Sequence, residues 1–251
     1  METHILFFVA AVAAGLINSM AGGGGLITFP LLALVVPPVV ADATSAFALL
    51  PAYPSAVWRT RGKLSEVSRR WLWLLLIPSV LGGLAGALLL VWTGDRNFTF
   101  LVPWLVLGGT VLFVLEPRLS RRSGVAPGNR GLTKAMWPLA TAVVFVVAIY
   151  GGYFGAGIGI LMLAALGLLG FTDIYRMNAL KNLLAICING VAAVYFIASG
   201  KVYWTDVLVM TFAAIAGGYS GARLAYRLGR RFVRLAVILI GLVMSVSLFI
   251  K

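Results

Sequence analysis

The sequence predicts an all-α polytopic membrane protein with two inverted-topology repeats, each a glycine-broken hairpin plus three transmembrane helices. Three observations support this fold class: an apolar composition, a repeated glycine pattern, and opposite charge bias in equivalent loops. Hydrophobic residues make up 61% of the 251 residues and charged residues only 11%, whereas a soluble domain carries about 25% charged residues. The mean hydropathy is +1.03. We therefore interpret the chain as one integral membrane domain.

The net charge of +13 would suggest a nucleic-acid partner in a soluble protein. Here the basic residues lie in short loops between apolar segments, as cytoplasmic loops of membrane proteins do. We therefore expect the lipid bilayer as a partner and no nucleic acid. The single cysteine, Cys187, excludes an intrachain disulfide and a cysteine metal cluster. No Lys or Arg precedes Arg59, so we expect no cleaved signal peptide.

Apolar segments of the first half predict a broken hairpin and three further helices. A helix over 5–20 is interrupted by glycines at 22–25 and resumes over 25–36, before two prolines. Consecutive glycines weaken any helix that contains them, and proline ends helices. Further helices are predicted over 41–58, 70–92 and 97–115. A polar linker, 117–133, then separates a first repeat (1–116) from a second (134–251), and we predict that the linker is cytoplasmic.

The second half repeats this order. It predicts helices over 134–153 and 159–170 with a glycine break between them, then helices over 175–199, 204–226 and 231–250. A shift of 134 residues places 21–25 on 155–159, and a shift of 135 places 82–87 on 217–222. Gly62-Lys63 and Gly108 likewise recur as Gly200-Lys201 and Gly241. Four matches in the same order predict that the halves are homologous.

Equivalent loops differ in charge. The 59–70 loop holds five basic residues and its counterpart, 199–206, only Lys201; conversely, the 223–234 region holds five arginines and its counterpart, 93–97, only Arg96. Because basic loops face the cytoplasm, equivalent loops should face opposite sides, as in an inverted repeat. Residues 134–170 then form a hairpin entered from the cytoplasm. Residues 4–36 form one entered from outside, with the N-terminus outside. The alternative is a single kinked span in each half, which would make the repeats parallel.

The bends predict a binding site for a small anion. Irregular backbone is tolerated at membrane depth only when buried in protein or lining a polar cavity. The arms 25–36 and 159–170 begin at the bends, and their free N–H groups would attract an anion. The candidate residues are Asn18, Ser19, Gly22, Gly23, Gly24, Gly25, Tyr153, Gly155, Gly157 and Gly159 at the bends, Thr44 and Ser45 on one following helix, and Asn178, Lys181 and Asn182 on the other.

Structural alternatives stand beside these assignments. Glycines can simply allow close helix packing, which suits 82–86 and 217–221 better than the bends. Lys181 can snorkel to the interface instead of facing the pathway. Asn182 and Asn189, seven residues apart, can face one interior groove or hydrogen-bond between helices.

The acidic residues fall at predicted segment ends or in loops, so we expect no carboxylate deep in the membrane to relay protons. They include Asp42, Glu66, Asp95, Glu116, Asp173 and Asp206. An anion leaving a negative-inside cell gains about 2.3 kcal/mol per charge at 100 mV, so export would need no ion partner. We expect no metal site, no cofactor and no enzymatic activity, because His4 is the lone histidine.

The first bend (15–25), its echo (151–159) and the Gly200-Lys201 turn resemble the TauE/SafE family, sulfite and organosulfonate exporters of the bacterial cytoplasmic membrane. The resemblance implies a secondary transporter that exports small sulfur anions by alternating access. Relatives that handle thiosulfate use cysteines along the path, so Cys187 alone makes thiosulfate import a poorer match. The second bend is less glycine-rich, so we expect the two arms to contribute unequally. An anion channel of the same architecture, a membrane scaffold without flux, and a homodimer stay open alternatives.

Overall fold

The protein is helical throughout the part that the structure describes. This computed structural model describes residues 2–20, 23–122, 137–171 and 173–228, with residues 235, 238, 239, 242, 243, 245 and 246, and these contain no strand. The helices are α1 (Glu2–Met20), α2 (Gly25–Leu32), α3 (Pro38–Leu49), α4 (Ala52–Leu64), α5 (Arg69–Arg122), α6 (Trp137–Tyr153), α7 (Ile158–Leu168), α8 (Ile174–Ala198) and α9 (Trp204–Leu228). Most of the predicted last helix, 231–250, and residues 123–133 of the predicted linker lie outside the described residues.

Both glycine interruptions break the helices where the sequence predicts. The first separates α1 from α2, and the second separates α6 from α7. In the second break Gly155 and Gly157 have φ angles of 66° and 82°. Residues other than glycine rarely adopt this left-handed backbone conformation, so the chain can turn sharply here because these residues are glycines.

Two predicted helices have different limits in the structure. The segment predicted as one helix over 41–58 is two helices, α3 and α4, separated at Leu50-Pro51. Proline lacks an N–H donor, and its ring collides with the carbonyl four residues earlier, so Pro51 favours a break here, although α5 continues through Pro78 and Pro103. The two helices predicted over 70–92 and 97–115 are both present, as the two arms of α5 on either side of Gly94, whose backbone is not helical (φ 68°, ψ 168°), and the second arm continues to Arg122.

Several helices have the length and composition of membrane segments. Within the described residues, Arg69–Gly108 and Tyr175–Ala198 are long and apolar enough to cross a bilayer, with mean hydropathies of 2.4 and 1.7 over their best windows. Shorter apolar helices cover Ile5–Asn18, Trp137–Tyr153 and Ile158–Leu168. A full span needs about 20 residues, so these shorter helices suit the arms of broken hairpins. Large apolar side chains on the outer surface, such as Trp92 (85% exposed), suit contact with lipid.

Glycines bring the helices into close contact. A Cβ added at Gly83 of α5 would lie 2.9 Å from the backbone of Ile188 in α8, and one added at Gly218 of α9 would lie 3.5 Å from the Ala52 Cβ in α4. Gly218 follows Gly83 by 135 residues, and Ile188 follows Ala52 by 136. The two contacts are therefore equivalent, and each joins a glycine of one half to a helix of the other half. This supports the homology of the halves and the packing role of these glycines, while the inverted orientation stays a prediction.

Ion pairs join two loops that we predict to be cytoplasmic. Glu66, just after α4, accepts hydrogen bonds from Lys63 at 2.8 Å and from Arg176 at 2.6 Å, and Lys63 lies 3.8 Å from Asp173, the N-cap of α8. Both hydrogen bonds lower the pKa of the Glu66 carboxyl, and the bond from Lys63 has the larger effect. The contact places the 59–70 loop and the start of α8 at the same end of the molecule.

Candidate functional site

The first bend is held by the side chain of Asn18, near the end of α1. Its Oδ1 accepts hydrogen bonds from the backbone N–H groups of Gly23 and Gly24, both at 3.0 Å. Its Nδ2 donates to the hydroxyl of Tyr53 in α4 at 3.2 Å. Two donors at the start of α2 are therefore satisfied by one buried amide, which fixes the direction in which the second arm leaves the bend.

The second bend is held differently. The Tyr150 hydroxyl donates to the Ala156 carbonyl at 2.9 Å, and Ala156 N–H donates to the Phe154 carbonyl at 2.7 Å. The N-cap of α7, Gly157, makes no side-chain capping bond. Among the described residues no acceptor faces the N–H groups of Gly157 and Gly159. The second arm thus begins with free donors where the first arm begins with donors bound by Asn18.

The two bends pack directly against each other. A Cβ added at Gly25, the first residue of α2, would lie 3.2 Å from both the Cα and the Cβ of Ala156. Beside this contact the rings of Phe29 and Phe154 stack edge to face at 5.3 Å between centroids. Phe98, from the second arm of α5, packs on both rings, at 6.1 and 6.3 Å. The aromatic side chains therefore cover one side of the junction.

A small polar cavity lies at the junction, with a volume of about 20 Å³. This is room for roughly one water molecule. Backbone of Gly25, Gly155 and Ala156 forms part of its wall, and the polar side chains that line it are Asn18, Asp42, Ser45, Tyr53 and Asn189. Helices α1, α3, α4 and α8 thus each contribute polar groups beside the two bends. In this conformation the cavity is too small for a sulfur oxyanion, so binding would require it to widen.

The structure brings some of the sequence-predicted residues together at this cavity. Asn18, Gly25, Ser45 and Gly155 line it. Gly23 and Gly24 lie next to it through their hydrogen bonds to Asn18. Gly22 and the side chain of Ser19 fall outside the described part of the chain. Substrate binding by these residues stays a prediction.

Other predicted residues do not line the cavity. Thr44 points to the start of α9, where its Oγ1 accepts a hydrogen bond from Tyr203 N–H at 2.9 Å. Its neighbour Ser45 instead lines the cavity and lies 2.6 Å from the Thr28 hydroxyl. Tyr153 packs on the Phe98 ring at 5.6 Å, and its hydroxyl has no partner within the described residues. Gly157 and Gly159 are buried just beyond the cavity wall.

The three polar residues early in α8 form a separate buried group. Lys181 is 1% exposed, so it does not reach the surface as a snorkelling lysine would. Its Nζ, and the Oδ1 atoms of Asn178 and Asn182, have no hydrogen-bond partner within the described residues. Asn189 lines the cavity two turns further along α8, whereas Asn182 does not, so the two asparagines do not share this cavity.

One residue of the cavity contradicts the sequence analysis. Asp42 is 3% exposed and lines the cavity between the bends, although the acids were expected only at membrane surfaces. The expectation equated the start of a helix with the surface of the bilayer. Helix α3 starts at Pro38, beside the exposed Pro37, and Asp42 lies one turn further on, where the helix is already buried. The run Asp42, Thr44 and Ser45, three polar residues in an apolar segment, was the available signal.

Comparison with known proteins gives consistent results. Residues 7–248 match the family model described as "Sulfite exporter TauE/SafE". The chain is 31% identical over 249 residues to the probable membrane transporter protein YfcA of Escherichia coli (strain K12), covering 97% of this chain and 88% of that protein. A probable membrane transporter protein of Haemophilus influenzae is 29% identical over 247 residues, covering 97% and 93%. The probable membrane transporter protein ORF9 of Sinorhizobium sp is 27% identical over 249 residues, covering 98% and 92%.

Proposed function

The chain belongs to the TauE/SafE family of membrane transporters, and from this premise we propose that it is a secondary transporter that exports small sulfur-containing anions, sulfite or organosulfonates. We place it in the bacterial cytoplasmic membrane as a multi-pass protein with its N-terminus outside. Alternating access, with one repeat rocking against the other, would carry the anion through the junction of the two bends.

The contact between the bends carries this proposal. Gly25 of the first half meets Ala156 of the second beside a buried polar cavity. In transporters built from repeats, substrates bind where the repeats meet, near helices whose N-termini point at anionic groups. Within the described residues the N–H groups of Gly157 and Gly159 have no acceptor, so the start of α7, next to cavity-lining Ala156, would supply such a terminus, and Ser45 and Asn189 add neutral polar groups.

The size of the cavity favours a carrier over an open pore. At about 20 Å³ it holds roughly one water molecule, so the conformation described is closed around the site. Its walls come from both halves, because Asn18, Gly25 and Ser45 belong to the first and Gly155 and Asn189 to the second. Movement of one half relative to the other would therefore enlarge the cavity.

Counterflow in proteoliposomes tests the proposal. Purified protein is reconstituted into vesicles loaded with unlabelled 2-hydroxyethanesulfonate or sulfite, and uptake of the labelled anion is followed. A carrier gives saturable uptake that exceeds equilibrium transiently, whereas a channel gives single-channel currents in planar bilayers and no counterflow. Absence of flux for 2-hydroxyethanesulfonate, sulfite and sulfoacetate alike would refute the proposed function and favour a scaffold.

A matched pair of glycine variants links the flux to the bends. Gly25→Leu places a four-carbon side chain where a Cβ alone already lies 3.2 Å from Ala156, so we expect the flux to fall at least about tenfold, as geometric misplacement of a site does. Gly190→Ala, also a helical glycine, adds a methyl where no described atom of a neighbouring helix lies within 4 Å, and should keep wild-type flux. Equal flux in the two variants would show that the bends are not the pathway.

A further inference from the structure

Asp42 is a buried carboxyl group that the proposed function leaves without a role. It lies on α3, lines the cavity between the bends and is 3% exposed. Among the described residues it has neither a hydrogen-bond partner nor an ion pair. A buried carboxyl group that lacks both is costly when ionised, so its retention at this cavity calls for an explanation.

Among the residues that the structure describes, no cation lines the cavity beside Asp42. Tyr53 of α4 lines the same cavity, and Tyr150 of α6 is close enough to be affected by the Asp42 charge. Helix α2 carries no titratable residue. In α5, Asp95 accepts a hydrogen bond from Val39 N–H at the start of α3, and the neighbouring Arg96 is exposed. In α9, Asp206 lies in the first turn. Lys181 of α8 does not line the cavity.

An anion at the bends and an ionised Asp42 would place two like charges in one small cavity. Two negative charges that share a buried site cannot both persist, and one of them takes up a proton. A sulfonate is the anion of a strong acid and does not take up this proton. The proton must therefore reside on the Asp42 carboxyl while the anion is bound.

We propose that Asp42 is the proton-binding residue of this transporter and that a proton moves with each anion, in the same direction. On the side of entry the Asp42 carboxylate takes a proton from water as the anion binds beside it. After the repeats rock, the anion and the proton both leave and the carboxylate is restored. This proposal rests on the proposed function and replaces the expectation that export needs no ion partner.

Co-transport changes how the flux is driven. A monoanion and one proton carry no net charge together, so their flux should ignore the membrane potential and follow the anion and pH gradients. An acidic outer face then opposes export of a monoanion and favours its uptake. A dianion such as sulfite would still move one net negative charge outward with the proton, so the potential would still assist its export.

The test uses 2-hydroxyethanesulfonate, a monoanion across the working pH range, and wild-type protein in proteoliposomes. With the outside one pH unit more acidic, we expect about tenfold accumulation inside, and an imposed potential of 100 mV should have no effect. In Asp42→Asn, where the amide imitates the protonated carboxyl, the pH gradient should have no effect. The potential should instead drive about 50-fold accumulation when the inside is positive, from about 2.3 kcal/mol per charge.

A matched control and separate outcomes keep the test decisive. Asp206→Asn neutralises an equally buried acid (3% exposed) that does not line the cavity, and it should keep the wild-type pH dependence. Three results would overturn the proposal without affecting the proposed transport function. They are wild-type flux that follows the potential and ignores pH, flux that requires sodium instead of protons, and pH coupling that survives in Asp42→Asn. Wild-type protein without flux of any sulfur anion would instead overturn the proposed function.

Discussion

Replacing Gly83 with alanine should lower the thermal stability of the protein, whereas the same replacement at Gly190 should raise it. A Cβ at Gly83 would lie 2.9 Å from both the Cα and the carbonyl oxygen of Ile188. Carbon atoms pack best at about 3.5–4.0 Å, so α5 and α8 would have to separate by about 1 Å. The neighbour is backbone, which cannot rotate out of the way.

The expected free-energy changes have opposite signs. Overpacking costs about 1–3 kcal/mol, and contact with backbone places Gly83→Ala in the upper half of that range. The higher helix propensity of alanine offsets about 1 kcal/mol, which leaves a net loss of about 1–2 kcal/mol. At Gly190 no described atom of a neighbouring helix lies within 4 Å, so only the gain of about 1 kcal/mol applies. The variants should therefore melt roughly 4–12 °C apart.

Melting of the purified protein in detergent, followed by tryptophan fluorescence, measures this difference. Wild type and both variants are compared at one detergent concentration, and size-exclusion chromatography after heating gives an independent reading. A Gly83→Ala protein that melts at or above wild type would refute the close α5–α8 contact. Equal losses in both variants would show that steric overlap is not the cause.

Three further predictions concern the bends and the loops. Gly94→Ala should destabilise the protein by about 1–3 kcal/mol, because φ 68° with ψ 168° is a conformation that only glycine adopts readily. No described atom lies within 4 Å of the added Cβ at Gly94 or at Gly108, so Gly108→Ala is the control and should not destabilise the protein. Asn18→Ala should lower the melting temperature more than Tyr53→Phe. The alanine leaves two buried N–H groups unpaired, each of which costs about 1–3 kcal/mol of stability, whereas the phenylalanine removes only one hydroxyl group. The melting temperature of Glu66→Gln should lie below that of wild type, and the difference should be at its full size above the ordinary carboxyl pKa. The difference should disappear as pH falls through the lowered pKa of Glu66 in the folded protein. Melting curves recorded at a series of pH values, and in roughly 1 M salt, which screens the ion pairs of Glu66 with Lys63 and Arg176, measure this.

The helix breaks could be predicted because glycine and proline act locally. Four consecutive glycines interrupt a helix whatever surrounds them, and α2 begins at Gly25 as expected. The α3–α4 break was missed because 41–58 is mostly apolar and prolines are tolerated within many membrane helices, as Pro54 is within α4. Whether Pro51 ends a helix or only bends it depends on its neighbours, which one sequence does not provide.

The structure brings only some of the predicted residues to the cavity, and the differences come from orientation and depth. Adjacent residues of a helix point about 100° apart, so Thr44 and Ser45 could not both face the cavity. Only the packing of α9 beside Thr44 decides which one does. Asp42 was misplaced because it lies only one turn after the start of α3, where the helix is already buried, and a sequence does not show how soon a helix enters the interior. The Asn18 cap of the first bend was the more predictable feature, because an amide beside unpaired N–H groups has few other partners.

The contact of Gly25 with Ala156 separates two parts of the cavity wall. The backbone of the bends leaves no room for a side chain at Gly25, whereas the side chains that line the cavity can be replaced. Any side chain at Gly25 would enter the space of the opposite bend, where a Cβ would lie 3.2 Å from Ala156. In the proposed function the attraction for negative charge would come from main-chain atoms, whose chemistry every sequence shares. Selectivity among anions would then be left to Asp42, Ser45 and Asn189, which line the cavity. Transporters with this backbone could acquire new substrates through those three side chains while the bends stay the same.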